Sequence, residues 1–275
     1  MSAPSEKPAT TPIKILWIIP VTTPIYNKAF ADMIAGVKSP HVEVHVASLD
    51  LPGMNLTNLE YRANEAAITQ PLLHVAHYAG KNGFDGYAIP CFYDTALKEA
   101  REVSGDMIVS ASCEASLIAI TGICNRFSVI IGVGKWQVEI EDAIRGYGYG
   151  NRVVSFETIG LHIEEFQINP EEARRRMREA VEKAMKAGAE GIILACTVEF
   201  GFYSTLQEEY GIPVIDGDFA CYVDVERKAM NKAQFGWKSS RIGSMDPPSE
   251  KDLEKSGIYA GPLPINKDII IVRRE

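Results

Sequence analysis

The chain has 275 residues, 46% hydrophobic and 23% charged, enough apolar material for one large core or two modest ones. A formal charge of -8 and a pI near 5.3 argue against nucleic-acid binding, which needs clustered Lys and Arg to neutralise phosphates. No apolar run approaches the ~18 residues of a membrane span, so the expected partners are a small-molecule substrate and further copies of the chain, with no nucleic acid and no membrane.

Residues 1–12, MSAPSEKPATTP, are rich in Pro, Ser and Thr and carry no signal-peptide apolar stretch, so they read as a disordered leader to a cytoplasmic protein. The five cysteines (91, 113, 124, 196 and 221) contain no CxxC pair, which points to reduced thiols rather than disulfides or a zinc site. Strand-like runs follow at Ile13–Ile19, Val42–Ser48 and Tyr87–Ile89, alternating with helical stretches at Asn64–Lys81 and Ala96–Val103. The rhythm then recurs. Phe127–Gly132, Arg152–Thr158 and Ile192–Ala195 read as strands, and Pro170–Ala187 as a helix opened by Asn169 and Pro170.

The recurrence extends to the residues themselves. GFDGYAIPC, ending at Cys91, aligns without a gap on GAEGIILAC, ending at Cys196, an offset of 196 minus 91, or 105. The same offset carries Asn64 onto Asn169 and Gly86 onto Gly191. After each cysteine comes a short helical segment, Thr95–Val103 or Tyr203–Tyr210, then a glycine and an apolar strand, DMIVS or IPVID. A supersecondary unit used twice implies an α/β fold of two pseudo-symmetric Rossmann-like lobes, their parallel sheets facing across a central cleft. Residues 13–110 with 216–235 form the first lobe, 111–215 the second, and 236–275 a C-terminal extension. Ile269–Val272 is expected to add to a sheet edge or to pack on a neighbouring subunit.

Ligands of open parallel sheets bind beyond the carboxyl ends of the strands, where both Cys91 and Cys196 fall. A lone cysteine at a strand end is usually inert packing, but two at matched positions of a repeat point to chemistry. One thiolate and one thiol on opposite sides of a carbon next to a carbonyl suffice to invert it, because a cysteine at a helix start holds both forms near neutrality. The N–H groups of Phe92, Tyr93, Thr197 and Val198 are placed to receive the negative charge on the substrate oxygen. No cofactor and no metal is then required. Cys113, Cys124 and Cys221 are assigned to packing, with Cys113, beside Glu114, the one candidate to border the cleft. His74 and His77 lack a third ligand, and His41, His45 and His162 make no convincing base, so the histidines read as structural. Gly132-Val133-Gly134-Lys135 starts like a phosphate loop but lacks its remaining residues, and reads as a tight turn lining the cleft.

CFYDTALKEARE from Cys91, ACTVEF with PVIDG downstream, IPVTT at 19–23, RFSVI at 126–130 and YG at 147–148 together resemble the hydantoin and allantoin racemases of the aspartate/glutamate-racemase superfamily. The resemblance spans about residues 13 to 235. It implies two pseudo-symmetric lobes, no cofactor, a homo-oligomer, and Cys91 and Cys196 as the proton-transfer pair. By position, Pro20, Val21, Thr22, Phe92, Tyr93, Gly132, Val133, Gly134, Thr197 and Val198 are implied to surround the substrate. Ile19 and Val21 depart from the family's Asn-Pro-Asn-Thr opening, and Thr197-Val198-Glu199 from the small residues usual after the second cysteine. Glu199 thereby becomes either a second proton-handling group or an acid favouring the local helix dipole.

The expected activity is racemisation of a hydantoin-like cyclic amide or an amino-acid-derived substrate. Two alternatives stay open: a cis-trans isomerase or decarboxylase of the same superfamily, with a nucleophilic or protonating cysteine, and a two-lobe small-ligand-binding protein. Cys91 weighs against the decarboxylases, which characteristically keep only the second thiol.

Overall fold

The computed structural model describes residues 12–163, 165–197 and 201–273, so the leader expected at 1–12 lies almost wholly outside them. The first half runs β1 (Ile13–Ile19), α1 (Asn27–Val37), β2 (Val42–Ser48), α2 (Arg62–Lys81), β3 (Gly86–Ile89), α3 (Leu97–Val103), β4 (Ile108–Ala111) and α4 (Ser112–Thr121). The second runs β5 (Phe127–Ile131), α5 (Gln137–Gly146), β6 (Val153–Thr158), α6 (Glu165–Ile168), α7 (Pro170–Lys186), β7 (Gly191–Leu194), α8 (Phe202–Tyr210), β8 (Val214–Asp216) and α9 (Gly217–Phe235). Then come α10 (Glu250–Ser256) and β9 (Ile270–Val272).

These strands form two sheets, ordered β4-β3-β1-β2-β9 and β6-β5-β7-β8, all parallel except β9. Read from the opposite side the second is β8-β7-β5-β6, so each half places its fourth, third, first and second strands in the same order. β1 reads as one apolar run because both its faces are covered. Leu16 and Ile18 enter one core cluster and Ile15, Trp17 and Ile19 another. Trp17, fully buried, packs on Phe30 and Tyr222 at ring-centroid distances of 5.4 and 6.3 Å, and each such side chain stabilises the fold by about 1.5–3 kcal/mol.

The two halves trade helices. α4 follows the last parallel strand of the first sheet, yet its Cys113, Leu117 and Ile120 belong to the core of the second. α9 follows the last strand of the second sheet and gives Cys221, Tyr222 and Val225 to the first. This trade explains the matched glycines: a Cβ on Gly86 would stand 2.9 Å from Val225 of α9, and one on Gly191 would stand 2.9 Å from Ile120 of α4. Asn64 and Asn169 are less alike than their alignment suggests. Asn169 caps α7, accepting from the Glu172 N–H at 3.2 Å, whereas Asn64 sits inside α2, which starts two residues earlier.

Beyond α9 the chain wraps the first sheet. β9 pairs antiparallel with β2, and Tyr259 stacks on His74 and His77 at 5.6 and 4.9 Å, so those histidines pack rather than gather a metal. No helix among the described residues is long and apolar enough to cross a membrane.

Candidate active site

Cys91 and Cys196 each stand two residues past the end of a central strand, β3 and β7, at the carboxyl edge of the two sheets. Both line a single cavity. Its wall is mostly apolar and draws on both halves: Pro20, Val21, Phe92 and Tyr93 from the first, Trp136, Ile140, Ile163 and Thr197 from the second. Tyr93 stands near both thiols; its phenol is pushed up first by burial, then by the proximity of Cys91, Glu139, Glu65 and Cys196.

The Cys91 loop is locally strained. Asp94 and Ala96 both take left-handed backbone, at φ 53° and 61°, a conformation that costs about 1–3 kcal/mol for a residue other than glycine. Asp94 is held there by its side chain, which accepts the N–H groups of Cys113 and Glu114 at 2.7 and 2.9 Å where α4 begins. Burial pushes the Asp94 carboxyl up to about 7 against the pull of these donors and of Tyr147.

The helix start expected to lower the Cys91 thiol is not at Cys91. α3 begins only at Leu97, six positions on, too far for its dipole to act strongly. Burial above all, then the neighbouring Glu65, lifts Cys91 to about 12, against the Tyr93 N–H and the Thr95 hydroxyl that hydrogen-bond its sulfur. Cys91 therefore rests as the neutral thiol. Cys196 is buried at 5% exposure, and Thr197 is the last described residue before Val198 and Glu199, which lie outside the described residues.

Several residues expected around the substrate are not in the lining of this cavity. Thr22 does not line the cavity; its hydroxyl donates to the Met54 carbonyl at 3.0 Å and accepts from the Leu56 N–H at 2.7 Å. It thereby anchors the segment that brings Thr57 to Glu60 into the wall. Gly132, Val133 and Gly134 are also absent from the lining. Gly132 is required by packing: a Cβ there would meet the Trp136 ring at 2.4 Å and the Leu161 carbonyl at 2.6 Å. Trp136 fills the place the glycine turn was expected to hold. Glu114 faces away, paired with Arg101; burial raises its carboxyl, but the guanidinium more than offsets this and holds it below the usual range. Cys113 is fully buried in the core and does not border the cavity.

Glu60 was not singled out by sequence pattern, yet it lines the cavity at 8% exposure and bonds His162 Nδ1 at 2.9 Å. The two are 102 positions apart, and only the fold joins them. Among the described residues no group of three or more His, Cys, Asp or Glu is gathered closely enough to hold a metal ion.

Two repeated α/β units with a cysteine at each matched strand end, opening on one cavity, define the architecture of a racemase superfamily. The chain belongs to the Asp/Glu/Hydantoin racemase family, whose sequence profile matches residues 15–220, and so is placed among the racemases. It is 26% identical over 241 residues to the hydantoin racemase of Pseudomonas sp. (strain NS671), covering 87% of this chain and 94% of that one. The hydantoin racemase of Rhizobium meliloti is 31% identical over 178 residues, 64% of this chain and 73% of that one. Among solved structures, the allantoin racemase from Klebsiella pneumoniae superposes with a TM-score of 0.78 at 22% identity, covering 86% of this chain and 94% of that one.

Proposed function

We propose that the chain is a cofactor-independent racemase of a hydantoin-like cyclic amide bearing an apolar substituent, with Cys91 and Cys196 on opposite faces of the reacting carbon. The observation that carries this is the opening of both thiols on one cavity from equivalent ends of the two sheets. One sulfur, as thiolate, takes the proton next to the carbonyl, and the electron pair moves onto the carbonyl oxygen as an enolate. The other, as thiol, delivers its proton to the opposite face. The resting state of Cys91 suits it to the second role, with Cys196 as first base in that direction.

The wall supports the substrate class. Its described residues include no Lys or Arg, and its one carboxylate, Glu60, is bonded to His162. A dicarboxylic amino acid would find no cation there, whereas a neutral ring with a hydrocarbon arm would bury its apolar surface. Assembly into a homo-oligomer working in the cytoplasm belongs to the same proposal, and sedimentation of the purified chain tests the assembly.

The decisive experiment incubates single enantiomers of 5-substituted hydantoins, allantoin and acidic amino acids with the protein in deuterated water, following optical rotation and α-proton exchange. Wild type is expected to racemise and exchange the apolar hydantoins. Cys91→Ser and Cys196→Ser should each abolish racemisation. Full racemisation by either variant would overturn the two-thiol mechanism.

A further inference from the structure

Cys91 has a hydrogen-bonded neighbour that takes no part in lining the cavity. Thr95 Oγ1 lies 3.6 Å from the Cys91 sulfur and donates to Glu65 Oε2 at 2.8 Å. Thr95 and Glu65 are buried, at 6% and 9% exposure. A hydroxyl owns one hydrogen. While Thr95 gives it to Glu65, only the S–H of a protonated Cys91 can fill the contact with the sulfur.

Glu65 continues the line toward solvent. Its other oxygen, Oε1, is buried and meets no donor. The Glu139 carboxyl of α5 lies close enough to the Glu65 side chain to raise its carboxyl, and two like charges so placed favour sharing one proton. A proton held between them satisfies both. Glu139 is itself 27% exposed and paired with Arg62 at 3.2 Å, so this end of the line reaches water.

We propose that Thr95 and Glu65 form a proton relay that loads and unloads the Cys91 thiol, with the Glu65–Glu139 carboxyl pair as its outlet. The proposal rests on the two-thiol reading of the site. In the unloading step the Cys91 S–H bond breaks as its proton passes to Thr95 Oγ1, and the Thr95 O–H bond breaks as its own proton passes to Glu65 Oε2. A thiolate and a neutral carboxyl result, and the electron pair of the S–H bond stays on sulfur. The reverse step restores the thiol after it has protonated a substrate, while a ligand fills the cavity.

The setting of Glu65 suits the task. Burial, with Glu139 adding to it against the Thr95 bond, holds its carboxyl at about 7, so it takes and gives a proton with equal ease near neutrality. The titratable and charged groups facing it are Glu139 on α5, Arg62 on its own helix, and Cys91 and Tyr93 on the cysteine loop.

The test compares Thr95→Val, Thr95→Ser and Glu65→Gln in the full chain and first measures, without substrate, iodoacetamide alkylation of Cys91 and Cys196 separately by peptide mass spectrometry. Thr95→Val, which takes the donor from the thiolate, should slow Cys91 about tenfold relative to Cys196, as one unit of pKa implies, and Thr95→Ser should restore the rate. Glu65→Gln, permanently neutral, should leave the Cys91 rate near wild type at pH 5 and accelerate it increasingly above pH 7. Its turnover of any substrate racemised by wild type should nevertheless fall on the order of a hundredfold. A Cys91 to Cys196 ratio unchanged in both Thr95→Val and Glu65→Gln overturns the relay, as does Glu65→Gln with full turnover. Shifted alkylation in a protein that racemises none of the trial substrates supports the relay and counts against the proposed activity.

Discussion

Tyr147, which follows α5 in the second half, donates its hydroxyl to the Asp94 carboxylate of the first half at 2.8 Å, three positions beyond Cys91. One buried carboxylate thus ties the strained cysteine loop to both the start of α4 and the opposite half. Asp94→Ala strips the acceptor from two main-chain N–H groups and frees a left-handed turn. The expected loss is about 2–4 kcal/mol in urea unfolding, against about 1 kcal/mol for Tyr147→Phe, which removes a single bond. Equal losses would show that the helix cap carries no extra weight.

Gly132→Ala places a methyl group inside contact distance of the Trp136 ring and the Leu161 carbonyl. Overpacking of this kind costs about 1–3 kcal/mol, and because Trp136 lines the cavity the ring's displacement should raise KM for an apolar substrate. Gly134→Ala, where the nearest atom stands at 3.9 Å, should leave stability almost unchanged. Similar melting curves for the two variants would dispose of the packing explanation for Gly132.

The extension closes an exposed edge. β9 pairs with β2 from Val44↔Val272 to Val46↔Ile270, Arg273 bonds Glu43 at 2.6 Å, and Asn27 donates to the Asp268 carbonyl at 2.9 Å. Removing residues 262–275 bares the backbone of β2 and should lower the melting temperature by roughly 5–10 °C, with concentration-dependent association in light scattering. A monodisperse variant with an unaltered melt would mean the edge needs no cover.

Glu65 sets a pH dependence of known sign. Its folded-state carboxyl is raised from the ordinary 4.5 to about 7, chiefly by burial, so between these values the folded chain binds more proton than the unfolded one. Stability from this group is fully present below 4.5, falls as pH rises through that window, and levels off above about 7. Denaturant midpoints taken from pH 4.5 to 8 should therefore fall more steeply in wild type than in Glu65→Gln. Parallel curves would place the Glu65 proton elsewhere.

Much of the scaffold was written in local pattern. The continuous apolar run of β1, the strand bounds of β2 and the helical stretch from Pro170 follow from side-chain periodicity and caps, which act between near neighbours. The repeat carried the location of both cysteines, because a duplicated unit puts matched residues at matched strand ends whatever surrounds them. Family likeness implied Thr22, Gly132, Val133 and Gly134 around the substrate; within the fold Thr22 hydrogen-bonds the Met54–Leu56 segment and Gly132 packs against Trp136.

The amino-acid order by itself determined the two α/β units, their thiols and the end of the sheets at which both thiols stand. Tertiary structure alone decided the electrostatics of those thiols. Glu65 reaches Thr95 across 30 positions, Tyr147 reaches Asp94 across 53, and His162 reaches Glu60 across 102. None of these pairs leaves a periodic trace, because a hydrogen bond between distant segments depends on how helices and loops stack in space. Burial, which moves Cys91 and Glu65 so far from their ordinary ionisation, likewise exists only once the halves have closed around them.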